Sequence, residues 1–399
     1  MGILFRRERG GINFSRVGRL ALVSLIVSIS AAFISTIWAI YLDSFFNNPA
    51  YVGFFSAFLT LVSFFSFFFI IPIIEKSSKS KIFSYSLIWH AVTYFLFAVN
   101  HNFYILIILS FISTVVLTLR ITSFGIIIKD YSKRAQLSRN EGVIYTFFNL
   151  AFAVCPLIAA YLAGRYGVNL VFLLSSVFFF LAFLCFKMLR IKDLNIKKKP
   201  DFNITKNFFA FFKSKDRVIS YILGGGVNLW WILIFLFMPL FILRQGLDDL
   251  WIGYFLFASM VPLVALTYLF AKKAGKIGFK RIFKIGFLIP AVLSFFCFFI
   301  GNVYWVLGLL SLASVGLAML ESTTESYFFD ISKKKEELRF YGPYNTTIDV
   351  NQFIGSLLSA TLLLVLPFKY IFLLFASFMF FMFFISFKVR KIVESKRKK

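Results

Sequence analysis

Acidic residues are scarce in this 399-residue chain, with 17 Asp and Glu against 43 Lys and Arg, and charged residues of both signs make up only 15%. A soluble domain carries about 25%, so a water-soluble globular protein is excluded. Cysteine is almost missing, and Cys155, Cys185 and Cys297 all fall inside apolar stretches. That leaves neither a disulfide framework nor a thiolate metal site. No phosphate-binding loop of the Walker type occurs, no ligand spacing suggests a metal, and no histidine clusters with acids. An ATP-driven pump, a metal site and a membrane-embedded enzyme are therefore not indicated, and no cofactor is expected.

What the chain has in quantity is apolar side chain: 60% of residues are hydrophobic and 21% aromatic. A bilayer core accepts a helix of about 20 apolar residues. Such runs recur at Arg19 to Leu42, Tyr51 to Ile74, Ile82 to Val99, Tyr104 to Ile128, Val143 to Ala163 and Val168 to Phe186. Six more follow at Val218 to Leu243, Trp251 to Ala271, Ile282 to Ile300, Tyr304 to Phe328, Tyr341 to Leu366 and Tyr370 to Phe387. The fold class is thus an all-α membrane protein of twelve transmembrane helices. It divides into an N-terminal segment 1–18, a six-helix bundle 19–186, a linker 187–217, a second six-helix bundle 218–387 and a basic tail 388–399. Within the linker, Phe208 to Phe212 reads as a short amphipathic helix at the membrane surface, flanked by Lys206 and Lys213.

The net charge of +26 would suggest nucleic acid in a soluble protein. Here the basic residues fall in alternate loops, at Arg6 to Arg9, Lys76 to Lys81, Lys129 to Arg134, Lys197 to Lys199, Lys272 to Arg281, Lys333 to Lys335 and Lys396 to Lys399. The intervening loops carry only Arg165, Arg244 and Lys369. This is the positive-inside asymmetry, which puts both termini in the cytoplasm and requires an even span count. A basic face beside anionic lipid accounts for the charge, and no nucleic acid partner is expected.

Residues 200 apart match without a gap along most of each half. The informative pairs are Gly53 with Gly253, Asn102 with Asn302, Tyr104 with Tyr304, Asp130 with Asp330, Arg139 with Arg339 and Gly142 with Gly342. An offset of six helices gives both halves one orientation, related by an axis along the membrane normal.

Two six-span halves, cytoplasmic termini and a basic central linker resemble the major facilitator superfamily over nearly the whole chain. The superfamily's loop between its second and third helices runs acid, base, glycine, then further bases; Glu75, Lys76, Ser78, Lys79 and Lys81 fit that order, with Ser78 in place of the glycine. In the C-terminal half, Gly275, Lys276, Gly278, Lys280 and Arg281 keep the glycine and lose the acid. The resemblance implies that Glu75, Lys76 and Lys79 form a cytoplasmic clamp that closes on Asp130, at the end of the fourth helix. It further implies that the fourth and tenth helices face each other across a central cavity.

Ionisable residues deep in a span are candidate sites because burying them in hydrocarbon is costly. Arg120 in the fourth span and Glu321 and Glu325 in the tenth meet that description; the two acids, four residues apart, share a helix face. Given the facing helices of the family, Arg120 with Glu321 or Glu325 forms either a cytoplasmic gate and coupling device or a static ion pair. Asp349 lies in a polar stretch of the eleventh span with Asn345, Thr346, Thr347, Asn351 and Gln352. Either it lines the cavity and binds a proton, a cation or substrate, or the stretch hydrogen-bonds across a helix contact. Asn228, Trp230 and Trp231 follow Gly224 to Gly226 mid-way along the seventh span, and Ser28 holds the matching place in the first. They suit either a substrate pocket or helix packing. His90 reads as a packing residue, and Asp43 as a residue that meets water or an outer gate.

The expected function is secondary active transport of a small solute by alternating access, coupled to protons or sodium, by a monomer in the cell membrane. The rival is a protein that keeps the fold without transporting, as a sensor, scaffold or lipid scramblase.

Overall fold

The structure, a computed structural model, describes the backbone of residues 5–8, 11–14, 16–131, 137–191, 193, 204–332 and 336–390. Within these, the side chains of residues 5–17, 71–72, 75–76, 129, 137–143, 145, 204–205, 271, 275, 322 and 337–338 are left undescribed. The expected clamp residues Glu75 and Lys76, and the basic residues of the runs Arg6 to Arg9, Lys197 to Lys199, Lys333 to Lys335 and Lys396 to Lys399, with Lys129, Lys133 and Arg134, therefore lie outside the described side chains. Internal contacts divide the chain into two compact units: Met1–Tyr41 with Val62–Lys199, and Leu42–Leu61 with Pro200–Lys399.

Twelve helices among the described residues are long and apolar enough to cross a membrane. Hydrocarbon offers no partner to a backbone N–H or C=O, so an unbroken apolar run satisfies them internally as a helix. Large apolar side chains stay uncovered on these helices, among them Phe69, Tyr104, Tyr268 and Trp305, as befits surfaces whose solvent is lipid.

The N-terminal unit begins with an antiparallel hairpin of β1 (Phe5–Glu8) and β2 (Gly11–Phe14). Its spans are α1 (Arg16–Phe46), α2 (Pro49–Lys76), α3 (Lys79–Val99), α4 (Phe103–Tyr131), α5 (Leu137–Tyr166) and α6 (Val168–Met188), with the end of α1 and start of α2 counted in the other unit. α3 packs between α4 and α6, where Phe83 stacks on Phe124 at 4.9 Å and meets Phe186 edge-on at 4.9 Å. The repeat pair Asn102 and Asn302 has one local job in each half. Asn102 Oδ1 accepts from the Tyr104 N–H at 2.8 Å, and Asn302 Oδ1 from the Tyr304 N–H at 2.9 Å, capping the fourth and tenth spans.

The second unit contains α7 (Ile204–Phe212), α8 (Lys215–Ile232), α9 (Met238–Arg244), α10 (Asp249–Ile277), α11 (Phe279–Phe299), α12 (Val303–Ile331), α13 (Glu337–Asn345), α14 (Thr347–Val365) and α15 (Tyr370–Ile385). Two spans that the sequence reads as continuous are interrupted. The seventh is α8 and α9 joined by a π-helical turn at Leu233–Phe237, in which the Met238 N–H reaches back to Leu233 O. Pro239 follows at once; it cannot donate to Phe235, and its ring crowds that carbonyl, so the widened turn relieves the clash. The eleventh breaks between α13 and α14 at Thr346, whose hydroxyl donates to Pro343 O at 2.7 Å.

The linker helix α7 forms where expected, and protein covers part of its apolar face. Phe211 is fully buried against Tyr221, Phe328, Phe340 and Tyr344, while Phe209 stays exposed. Arg217 fixes this docking, donating from Nε to Phe211 O at 3.0 Å and from Nη2 to Ala210 O at 2.9 Å. The guanidinium thus satisfies the C-terminal carbonyls of α7 and ties the helix to α8.

The start of α3 is capped by a residue far along the chain. Asp193 Oδ1 accepts from both the Ser80 N–H and the Ser80 hydroxyl, each at 2.8 Å. Burial by itself would raise this carboxyl, but hydrogen bonds from Ser78 and Ser80 and the charge of Lys79 outweigh it and hold the group below its ordinary range. A folded-state value below the unfolded one gives stability that is full above the unfolded value and is lost as pH falls through the folded one. Asp193→Asn is therefore expected to lower the melting temperature at neutral pH. The gap from the native chain should close as melting is scanned below about pH 4.

Candidate functional site

In the N-terminal unit, Arg120 on α4 is only 7% exposed. Its guanidinium lies over the Phe179 ring of α6, 4.9 Å from the centroid, and the His90 ring of α3 stacks on the same phenyl group at 4.9 Å. His90 Nδ1 donates to Ser86 O at 2.8 Å. Among the described residues, His90 Nε2 and Arg120 Nε and Nη1 are buried without a hydrogen-bond partner. No described carboxylate of its own unit lies within ion-pair distance of Arg120. The stacked phenyl offsets about 2 kcal/mol of desolvation. An unpaired buried charge costs several times that. Arg120 is therefore a charge in want of an anion.

Lys79 and Asp130, two of the expected clamp residues, do meet, with Nζ 3.0 Å from Oδ2. Ser28 is buried in α1.

In the second unit, Glu325 on α12 accepts from the Tyr341 hydroxyl of α13 at 2.8 Å. One turn earlier Glu321 is partly buried, and among the described residues its carboxyl group makes no hydrogen bond or ion pair. The polar stretch at the α13–α14 break turns largely onto α8. Thr347 Oγ1 donates to Tyr221 O at 2.8 Å, Thr346 Oγ1 lies 3.1 Å from the Tyr221 hydroxyl, and Asn351 Nδ2 donates to Thr347 O at 2.9 Å. Thr346 and Thr347 thus hydrogen-bond across a helix contact, while Asn351 bonds back to Thr347 within its own helix. Asp349 sits on a less buried side of the same helix.

The three consecutive glycines of α8 are all buried and make close packing possible. A methyl at Gly225 would sit 2.1 Å from Asn351 Nδ2, and one at Gly224 would sit 2.7 Å from the Tyr344 hydroxyl. Asn228 Nδ2 donates to Gly224 O at 3.1 Å. Trp230 is fully buried with its indole N–H unpartnered among the described residues, and Trp231 packs on Phe235 at 5.5 Å.

A family model described as Major Facilitator Superfamily matches residues 20–320 and again 252–399. The chain belongs to that superfamily. No curated protein matches it significantly. Among solved structures, a POT family transporter in complex with a thioalcohol-conjugated peptide superposes with TM-score 0.77 at 12% identity, over 93% of this chain and 95% of that one. The nucleoside transporter NupG gives 0.76 at 14%, over 93% and 99%. A peptide transporter POT bound to alafosfalin gives 0.71 at 14%, over 98% and 96%. The fold of this major facilitator protein is thus that of a multi-pass membrane protein from a family of transporters.

One contact in this superfamily member escaped the reading of its sequence. Asp43, at the end of the first span, is 8% exposed and accepts from Arg244 Nη2 at 2.6 Å. A signal was available, since the two residues lie 201 apart and so occupy adjacent equivalent positions of the repeat, one acidic and one basic. Glu325 and Tyr341 offered no such spacing.

Two outcomes follow from this geometry. Gly225→Ala should destabilise the purified protein by about 1–3 kcal/mol, because Asn351 is pinned by Thr347 and cannot swing away; melting curves check this. In a double-mutant cycle, Asp43→Asn and Arg244→Gln should show a coupling of about 1 kcal/mol, the upper end of what exposed pairs give.

Proposed function

We propose that this protein is a secondary active transporter that moves a small solute by alternating access of its two bundles, residues 19–186 and 218–387, driven by protons. The observation that carries this reading is Arg120, a buried guanidinium to which the described residues of its own unit supply no anion. Such a charge is tolerated in a membrane helix when a second group visits it. In the proposed cycle that group is the Glu321 carboxylate in one state and an anionic group of the solute in another. Protonating Glu321 removes its attraction for Arg120 and releases the bundles. Glu325, held by Tyr341, keeps the neighbouring turn of α12 fixed to α13. Asp349 is the second proton carrier.

The clamp of Lys79 on Asp130, to which the family resemblance adds Glu75 and Lys76, closes the cytoplasmic side in this scheme, and the Asp43–Arg244 pair closes the outer one. Ser28, Asn228, Trp230 and Trp231 line the solute path. The protein acts as a monomer in the cell membrane with both termini in the cytoplasm, in line with the alternation of its basic loops. The solute class that suits Arg120 is a small molecule with a carboxylate or phosphate, since a guanidinium binds either through two parallel hydrogen bonds.

Proteoliposomes holding a pH-sensitive dye provide the test, with small carboxylic acids, peptides and nucleosides added outside. Solute-dependent proton movement is expected in the native chain and should fall at least about tenfold in Glu321→Gln, a loss of coupling rather than of folding. Equal proton movement in both proteins would return Glu321 to a packing role. A native chain that responds to no solute under any gradient would favour the non-transporting reading.

A further inference from the structure

A basic cavity of about 340 Å³ opens in the N-terminal unit at the end that carries the basic loops, bounded by the start of α3, the end of α6 and the residues that follow it. That size lies within the range of small-ligand sites. Lys81, Lys187 and Arg190 line it, together with Ser78, Ser80 and Asp193. Among the described residues none of the three cations is paired with a carboxylate. Asp193 is the single acid in the wall, and its Oδ1 is occupied by the Ser80 N–H and hydroxyl. The lining thus carries three exposed cations against one acid and is net positive.

The turn that presents Arg190 is built in an unusual way. Arg190 has φ +49°, a left-handed conformation that residues other than glycine and asparagine seldom take. The turn is held by the Arg190 N–H donating to Lys187 O at 3.1 Å and by Arg19 Nη1 donating to Leu189 O at 3.2 Å. Left-handed non-glycine residues persist where surrounding contacts over-determine them, and they recur at ligand clamps.

Position selects the ligand. The spans Lys79–Val99 and Val168–Met188 begin and end at this cavity, so it sits at the boundary of membrane and water. Next to it Leu184 and Met188, one turn apart on α6, and Tyr85 on α3 leave apolar surface uncovered. We infer that this cavity binds the phosphate of an anionic phospholipid headgroup, with Lys81, Lys187 and Arg190 on the phosphate and Leu184 and Met188 along the acyl chains. The inference rests on membrane placement and not on transport.

Native mass spectrometry of the full chain in detergent, titrated with phosphatidylglycerol or phosphatidylcholine, measures this directly. Phosphatidylglycerol should bind more tightly, and Lys187→Gln with Arg190→Gly should weaken it roughly tenfold or more, each basic residue being worth about fivefold. Glycine accepts the left-handed turn, so the variant keeps its fold. Arg190→Lys should retain most of the binding. The control is Lys272→Gln with Lys273→Gln, two exposed lysines of the second unit, which should change it little. Equal loss in the control, or no loss in the cavity variant, would overturn the site. If inorganic phosphate or glycerol 3-phosphate alone binds in the same variant-dependent way while phosphatidylglycerol does not, the phospholipid assignment fails in favour of a soluble phosphate ester.

Discussion

Hydrocarbon cannot solvate a charge or a peptide group, and the architecture of this protein depends on that. Backbone groups are satisfied inside helices, which is why twelve apolar runs become twelve spans. Where a helix must break, side chains make good the loss. Thr346, Thr347 and Asn351 bond around the break between α13 and α14 and onto Tyr221, and the π-helical turn before Pro239 re-pairs Met238 with Leu233. Each interruption has a proline within a turn of it, Pro239 or Pro343, whose missing N–H the local bonding absorbs.

The same constraint sorts the charged side chains. Lys79 has Asp130, Arg244 has Asp43, Arg217 has the carbonyls ending α7, and Glu325 has Tyr341. Arg120 has two nitrogens buried and unpartnered on a phenyl ring that it shares with His90, and the Glu321 carboxyl likewise makes no bond among the described residues. A static structural role would be served by a carboxylate on a neighbouring helix of the same unit, and among the described residues none is there. The proposal that this residue works against a moving partner follows from that contrast. His90, which the sequence presents as a packing histidine, stacks on that phenyl ring, yet its Nε2 is buried without a partner among the described residues.

Much of the organisation was legible because the repeat is written in polar residues that have local work to do. Asn102 and Asn302 match because each caps the helix that follows it, an interaction between residues two apart that any sequence reader can place. Asp43 and Arg244 were legible only in hindsight, since their partnership depends on the ends of two spans meeting. The linker helix shows the limit of composition. An amphipathic stretch of phenylalanines reads as a helix at the membrane surface, and composition does not say which ring packs on protein. What buries Phe211 is the aromatic surface of Tyr221, Phe328, Phe340 and Tyr344, most of which lies far from it along the chain.

By itself the sequence determined the solvent, the number of spans, the two-fold repeat and the few residues whose burial would be costly, because these depend on hydropathy and spacing along one chain. Tertiary structure alone decided which of those residues are satisfied. It gave Glu325 and Asp43 partners, turned the polar face of α14 onto the glycines of α8, bent the turn after α6 into a basic cavity, and left Arg120 without an anion among the described residues of its unit. Partnership is a property of distances between helices, and hydrophobic periodicity carries no information about which polar group a neighbouring helix will bring.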